Sequence, residues 1–189
     1  MDKRIVIGLD RDGTINEDIG NYISKKEQFK LIPRSLEAIK EIKDLGYAAI
    51  VLTNQAGVSK GFFDDFDVYT IHQHLEKLLF DETGCKLDGI LYSTGSDEFD
   101  NFRKPNIGMF LQAQRDYSIS FYKGYYVGDK MSDLEFASNF DINPVLVRTG
   151  YGKITEKRLE ESKYQQLKDK TIIFDNLYSF SQWLKDKAH

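Results

Sequence analysis

Two carboxylates one residue apart, Asp10 and Asp12, stand with Gly13 and Thr14 directly behind an apolar run, Ile5 to Leu9, in this 189-residue chain. Packed together and partly desolvated, the pair repels, so one member must hold a proton or a cation must lie between them. That division suits phosphoryl transfer. Asp10 is read as an ionised oxygen nucleophile beside a hard divalent cation. Asp12 is read as the acid that protonates the leaving oxygen and the base that then takes a proton from water. Taken alone, the same residues also fit a metal-free turn, since Asp and Gly are ordinary turn formers.

Three further clusters could complete such a site. Thr53, Asn54 and Gln55 offer a hydroxyl and two amides ahead of Ala56 and Gly57, small residues that let backbone N–H groups approach a phosphate. Arg103 and Lys104 precede Pro105, and Gly128-Asp129 is followed four residues on by Asp133. Each cluster has a plainer reading: a turn stabilised by Asn, a surface Arg-Lys pair, a polar helix start. Jointly they supply a nucleophile, a proton donor, a hydroxyl and an ammonium for the equatorial oxygens of phosphorus, and carboxylates for Mg²⁺. Mg²⁺ takes only one or two protein carboxylates and keeps several waters. Asp10 and Asp129, with the main-chain carbonyl of Asp12, can provide its protein ligands.

The elements between these clusters must bring them together. Ile5–Leu9 reads as a strand buried on both faces, and Gly13 permits the sharp turn at its end. Residues 16–30 are polar and irregular and read as a flap rimming the site. A helix opens at Pro33-Arg34-Ser35 and ends at Gly46, with Leu36, Ile39, Ile42 and Leu45 at helical spacing. Further strands are predicted over 48–52, 87–92, 124–127, 145–147 and 172–174, and further helices over 66–82, 131–139 and 177–184. Another helix carries Met109, Phe110 and Ala113, with Pro105 as its first residue. Asp64, Asp65 and Asp67 complement the dipole of the helix over 66–82 rather than binding metal. His72 and His74 lie two apart on it, point in different directions and read as surface or core residues. Residues 149–169 read as a loop plus an exposed helix, and Trp183 as a packing residue. Strands alternating with helices predict an α/β fold, a parallel sheet with right-handed crossovers. In it the ends bearing Asp10 and Asp12, Thr53, Lys104 and Asp129 share one crevice.

Composition bounds the rest. The length suits one domain, residues 1–189, which buries about 70% of its unfolded surface. A net charge of −4 and the lack of a basic stripe argue against a nucleic-acid partner. The single cysteine, Cys85, excludes an intramolecular disulfide and a multi-cysteine zinc site. No segment is long and apolar enough to span a bilayer, and no secretory leader is evident, so a cytoplasmic monomer without a membrane partner is expected.

In order and spacing, Asp10-x-Asp12-Gly13-Thr14, Thr53, Lys104-Pro105 and Gly128-Asp129-x-x-x-Asp133 resemble the four signature motifs of the haloacid dehalogenase superfamily of phosphatases, over residues 5–150. The details are similar to the histidinol-phosphatase-like branch, and within it to phosphatases of D-glycero-D-manno-heptose 1,7-bisphosphate. These details are Leu9 to Asn16, Thr53-Asn54-Gln55-Ala56-Gly57, Arg103-Lys104-Pro105 with Gly108-Met109, and Val127-Gly128-Asp129-Lys130. The resemblance implies a three-layer Rossmann-like sheet without a large cap domain. It implies Asp10 as nucleophile and Asp12 as acid/base, with Asp10, Asp12 and Asp129 binding Mg²⁺. Thr53 and Lys104 would hold the phosphoryl group, and Asn54, Gln55, Arg103 and Lys130 would touch the rest of a sugar phosphate. Asp133 would orient Lys104 or a metal-bound water, and residues 18–22, 58–63 and 93–103 would select the substrate. Many relatives carry a zinc loop of three cysteines and a histidine before Arg-Lys-Pro. Here Tyr92 to Phe102 has neither residue type, so no zinc is expected. The rivals are a histidinol-phosphate phosphatase, a DNA 3′-phosphatase and a receiver-like phospho-acceptor domain, in which Asp12 would hasten loss of the acyl phosphate.

Overall fold

The computed structural model of the protein describes residues 4–188. Six parallel strands stand in the order β3-β2-β1-β4-β5-β6. They are β1 (Ile5–Leu9), β2 (Ala48–Asn54), β3 (Gly89–Ser93), β4 (Ser120–Gly128), β5 (Asn143–Val147) and β6 (Ile172–Phe174). Seven α-helices are described between and after them: α1 (Ser35–Asp44), α2 (Asp65–Thr83), α3 (Gly108–Tyr117), α4 (Met131–Asn139), α5 (Gly152–Leu159), α6 (Gln165–Lys170) and α7 (Leu177–Ala188). The chain builds outward from β1 to β3, returns to β4 on the other side of β1, and builds outward again. The crevice beyond the carboxyl ends of β1 and β4 is therefore the point where winding reverses, the usual ligand position in such sheets.

The apolar runs follow from burial on both faces. Ile7, Leu9, Ala49 and Val51 pack under α1, α2 and α7, while Val6, Ala48, Ile50 and Leu52 pack under α3 and α4 with Phe110 and Phe136. Asp64 caps α2, accepting the Asp67 N–H at 3.0 Å, and Asp67 accepts the Asp64 N–H at 3.1 Å. That is the helix-terminus role expected of these aspartates. Trp183 packs with its ring centroid 5.7 Å from that of Tyr125 and 5.5 Å from that of Phe174. Among the described residues no helix is long and apolar enough to cross a membrane.

Three expectations need correction. β2 runs on through Thr53 and Asn54 because both pair with β3, at Tyr92 and Ser93. Pro105 does not open α3, which starts at Gly108. The Lys104–Pro105 peptide is cis, and Asn106 folds back to donate to the carbonyls of Glu98 at 2.8 Å and Asp100 at 3.0 Å. Arg103 and Lys104 thus lie on a turn rather than at a helix entrance. Finally, residues 149–169 are not merely an exposed appendage. Leu159 and Leu167 are buried with Met131, Leu134 and Leu146 in a satellite core, and the residues leading into α5 brace the site.

Candidate active site

β1 delivers Asp10 to the carboxyl edge of the sheet, where its N–H donates to the Val127 carbonyl at 2.8 Å. The chain then doubles back. Ile15 and Asn16 both donate their N–H to the Arg11 carbonyl, at 2.9 and 3.2 Å, and Gly13 donates to the Asn16 carbonyl at 2.7 Å. The turn needs a φ of 89° at Gly13, where a Cβ would lie 2.2 Å from Asp129 Oδ2. Gly150, at φ 53°, closes on the same oxygen, and a Cβ there would also lie 2.2 Å away. Glycine is required at both positions by conformation and by space.

Lys104 is 3% exposed and commits all three ammonium N–H groups: to Asp10 Oδ1 at 2.8 Å, Asp133 Oδ1 at 2.6 Å and the Tyr126 hydroxyl at 2.8 Å. Burial works against the ammonium, but Asp10 and Asp133 outweigh it and hold the pKa above that of an ordinary lysine. Asn54 fastens the main chain of Lys104, donating Nδ2 to its carbonyl at 3.1 Å and accepting its N–H at 3.0 Å. The second oxygen of Asp133 accepts the Lys130 N–H at 2.9 Å and so ties it to the start of α4.

Asp129 is fully buried. Its Oδ2 accepts the Tyr151 N–H at 2.7 Å and its main-chain carbonyl accepts the Thr155 hydroxyl at 2.7 Å. Its Oδ1 makes no hydrogen bond and lies 3.9 Å from Lys130 Nζ. One oxygen each of Asp10, Asp129 and Asp133 fall within 4.8 Å of one another. Burial pushes the Asp129 carboxyl well above the usual carboxylate range against the pull of Lys130, and Asp133 and Asp10 push the same way. Asp133 is raised too, chiefly by burial. An orphaned, buried carboxylate oxygen beside two more carboxylates fits a hard divalent cation that binds oxygen, such as Mg²⁺. Asp133 has both oxygens committed to Lys104 and the Lys130 N–H, whereas Asp129 Oδ1 is uncommitted and Asp10 bonds Lys104 through Oδ1.

Asp12 belongs to a different network. Arg11 is fully buried and grips it with two donors, Nε to Oδ1 at 3.0 Å and Nη2 to Oδ2 at 2.8 Å. Asn16 donates to Oδ1 at 2.8 Å and Gln55 to Oδ2 at 3.0 Å. Burial alone would raise the Asp12 carboxyl, but the Arg11 charge and these hydrogen bonds bring it down to about 2. Gln55 also donates to Thr53 Oγ1 at 3.1 Å and accepts Arg11 Nη2 at 3.1 Å. Behind Arg11, Nη1 meets His72 Nε2 at 3.2 Å. Burial, then the Arg11 cation, lower the His72 pKa to about 3, so the ring is neutral and Nε2 accepts. The repulsion expected between Asp10 and Asp12 is thus answered by separate cations, Lys104 for one and Arg11 for the other.

A niche of about 40 Å³, lined by Asp10, Thr53, Lys104, Lys130 and Asp133, forms the floor. Above it lies a cleft of about 330 Å³ bounded by Asp12, Asp18, Tyr22, Gln55, Lys130 and Tyr151. Lys130 Nζ donates to Asp18 Oδ2 at 2.8 Å, tying the flap to α4. Tyr22 stacks on Phe62 at 5.3 Å and accepts Lys60 Nζ at 2.9 Å, so residues 16–30 and 58–63 form one wall. Asn54 and Gln55 line the cleft, yet their amides serve Lys104 and the Arg11 network. Arg103 donates Nη1 to the Gly95 carbonyl at 3.0 Å and braces its own loop. In that loop Asp100 accepts the Phe102 N–H at 2.8 Å.

Four contributors escape a reading of the sequence by motif: Arg11, His72, Tyr126 and the brace over residues 149–155, in which the Thr149 hydroxyl donates to the Gly13 carbonyl at 2.6 Å. A cation between two motif aspartates and a hydroxyl inside an apolar strand are the signals that point to Arg11 and Tyr126. Residues 5–145 match the family described as polynucleotide kinase 3 phosphatase. A D-glycero-beta-D-manno-heptose-1,7-bisphosphate 7-phosphatase from Pseudomonas aeruginosa is 36% identical, covering 92% of this chain and 94% of its own. One from Photorhabdus laumondii is 38% identical over 78% of this chain and 82% of its own. A crystal structure of D,D-heptose 1,7-bisphosphate phosphatase from B. bronchiseptica, complexed with magnesium and phosphate, superposes with a TM-score of 0.87 at 28% identity. It covers 97% of this chain and 99% of that one.

Proposed function

The chain belongs to the polynucleotide kinase 3 phosphatase family of haloacid dehalogenase-like phosphatases, and on that premise we propose that it removes the 7-phosphate of D-glycero-D-manno-heptose 1,7-bisphosphate. The reading takes residues 1–189 as one catalytic domain working as a cytoplasmic monomer in the supply of lipopolysaccharide precursors. The observation that carries the chemistry is the Lys104 ammonium, which joins Asp10 at 2.8 Å to Asp133 at 2.6 Å beside the buried Asp129 carboxylate, whose Oδ1 has no partner. The substrate choice is supported by relatives of nearly equal length. It is also supported by a cleft of about 330 Å³, the size of a small-molecule site.

In this reading an Asp10 oxygen attacks phosphorus and the bond to the sugar oxygen breaks, leaving an aspartyl phosphate. Lys104 and the Thr53 hydroxyl hold the transferring oxygens, and Asp12 protonates the departing sugar oxygen. Asp12 then takes a proton from water as that water attacks phosphorus, which frees inorganic phosphate and regenerates Asp10. The resting Asp12, held near pKa 2 by Arg11 despite burial, is already in the form this second half requires. The arriving phosphoryl dianion, placed beside Asp12, favours its protonation for the first half. Asp10, Asp129 and the Asp12 carbonyl would hold Mg²⁺, whose charge offsets the repulsion between carboxylate and phosphate. Lys130, at the rim with Asp18, and Arg103 would meet the rest of the sugar.

The test is a panel of phosphomonoesters ranked by kcat/KM: the heptose bisphosphate, histidinol phosphate and a 3′-phosphorylated oligonucleotide. The heptose bisphosphate should lead. Preference for the oligonucleotide would move the function to DNA end repair, against the net charge of −4. EDTA should stop turnover and Mg²⁺ should restore it, while Asp10→Asn should be folded and inactive.

A further inference from the structure

We infer that Tyr126 is a positioning residue for the phosphoryl clamp, a strut that fixes the Lys104 ammonium relative to Thr53. The inference rests on the reading above, in which Lys104 and Thr53 hold the transferring oxygens. Tyr126 sits on β4 opposite Gly8 of β1. It is fully buried, and its hydroxyl accepts from Lys104 Nζ at 2.8 Å while donating to the Leu52 carbonyl. Leu52 is the residue before Thr53 on β2. One oxygen atom therefore links the ammonium to the strand that carries the Thr53 hydroxyl. Donation to a carbonyl fixes the direction of the hydroxyl proton. The oxygen lone pairs are left for the ammonium, whose other two N–H groups already go to Asp10 and Asp133.

The ring has little freedom to move. It meets Phe110 of α3 edge-on at 5.6 Å and Phe136 of α4 edge-on at 5.0 Å. It also occupies the space where a side chain on β1 would stand, since a Cβ on Gly8 would fall 2.6 Å from Tyr126 Cδ2. Gly8 is the only residue without a side chain in β1, and the ring of Tyr126 is the reason. A buried hydroxyl with both partners satisfied is held firmly. A phenylalanine would fill the same hydrophobic space, so packing alone does not account for the oxygen.

The experiment uses the full chain with Mg²⁺ and reads inorganic phosphate binding by calorimetry together with kcat and KM. Tyr126→Phe should stay folded, weaken phosphate binding about tenfold and lower kcat by about as much. Lys104→Met should weaken phosphate binding at least as far. Adding Tyr126→Phe to Lys104→Met should change it less than twofold, because the strut then has nothing to position. 3-Fluorotyrosine placed at 126 keeps the shape but makes the oxygen a poorer acceptor, and should give an intermediate loss. It also serves if Tyr126→Phe folds poorly. Wild-type binding and turnover in Tyr126→Phe, or equal losses with and without Lys104, would overturn the strut. If Lys104→Met itself binds phosphate normally, the clamp assigned above fails and the strut fails with it. Loss in Lys104→Met but not in Tyr126→Phe would sink the strut alone.

Discussion

Asp12→Asn should be a stability variant as well as a catalytic one, because it strands a buried cation. Arg11 has no exposed surface, and its partner side chain in the pair, Asp12, is 20% exposed. Two routes give the size. The Asp12 carboxyl is held at about 2, below an ordinary 3.8, which by linkage corresponds to about 2 kcal/mol. Removing one partner of a buried ion pair costs about 3–5 kcal/mol, and Gln55 and His72 still accept from Arg11, which favours the low end. A loss of about 3 kcal/mol in a chain of 189 residues lowers Tm by about 6–12 °C. Melting should be followed without Mg²⁺ or phosphate, so that ligand binding does not add to the difference. The double variant Arg11→Met with Asp12→Asn removes the stranded charge and should regain at least half of the loss. Turnover should fall at least 100-fold in both. If Asp12→Asn melts with wild type, or the double variant is no more stable than the single one, the buried pair does not hold the turn together. Near-normal turnover in Asp12→Asn on an ester with a poor leaving group would remove Asp12 from the acid/base role.

His72 should make stability sensitive to acid. Its folded pKa of about 3 lies below that of an unfolded histidine, about 6.5. The unfolded chain therefore binds a proton that the folded one refuses. Stability is full above pH 6.5 and falls as pH drops toward 3, by about 2 kcal/mol between pH 7 and 5. Urea titrations at both pH values should show His72→Gln losing that much less than wild type, and parallel losses would mean the ring is not held neutral. Asp129→Asn should raise Tm in the absence of Mg²⁺, since a buried carboxylate facing two others disappears. It should also abolish the Mg²⁺-dependent gain, which in wild type reaches about 2.7 kcal/mol at 100-fold excess over Kd. A normal Mg²⁺ response in this variant would remove Asp129 from the cation site.

The sheet was legible because its strands are buried on both faces, which leaves unbroken apolar runs such as Ala48 to Leu52. Polar residues directly after such runs mark the crevice. Lys104 reaches Asp10 across 94 positions of sequence, and only the alternation of strand and helix brought them to one edge. Pro105 misled because proline at a helix start and proline in a turn look alike in sequence. Arg11 reads as a spacer between two aspartates, because spacing alone does not say that a side chain in a turn points inward. His72 reads equally well as a surface or core residue, and its partner lies 61 positions away. The hydroxyls of Thr149 and Thr155 carry no periodic signal, and their targets, the Gly13 and Asp129 carbonyls, are main-chain atoms.

The brace on Asp129 also bears on where the working unit stops. The family match ends at residue 145, and every motif aspartate and lysine lies before that point. Yet Gly150, Tyr151 and Thr155, which wall in and hold the Asp129 carboxylate and its carbonyl, all lie beyond it. A truncation at the match border would retain every signature residue and still lose the groups that hold the buried Asp129 in place, so an active fragment is expected to run at least through α5.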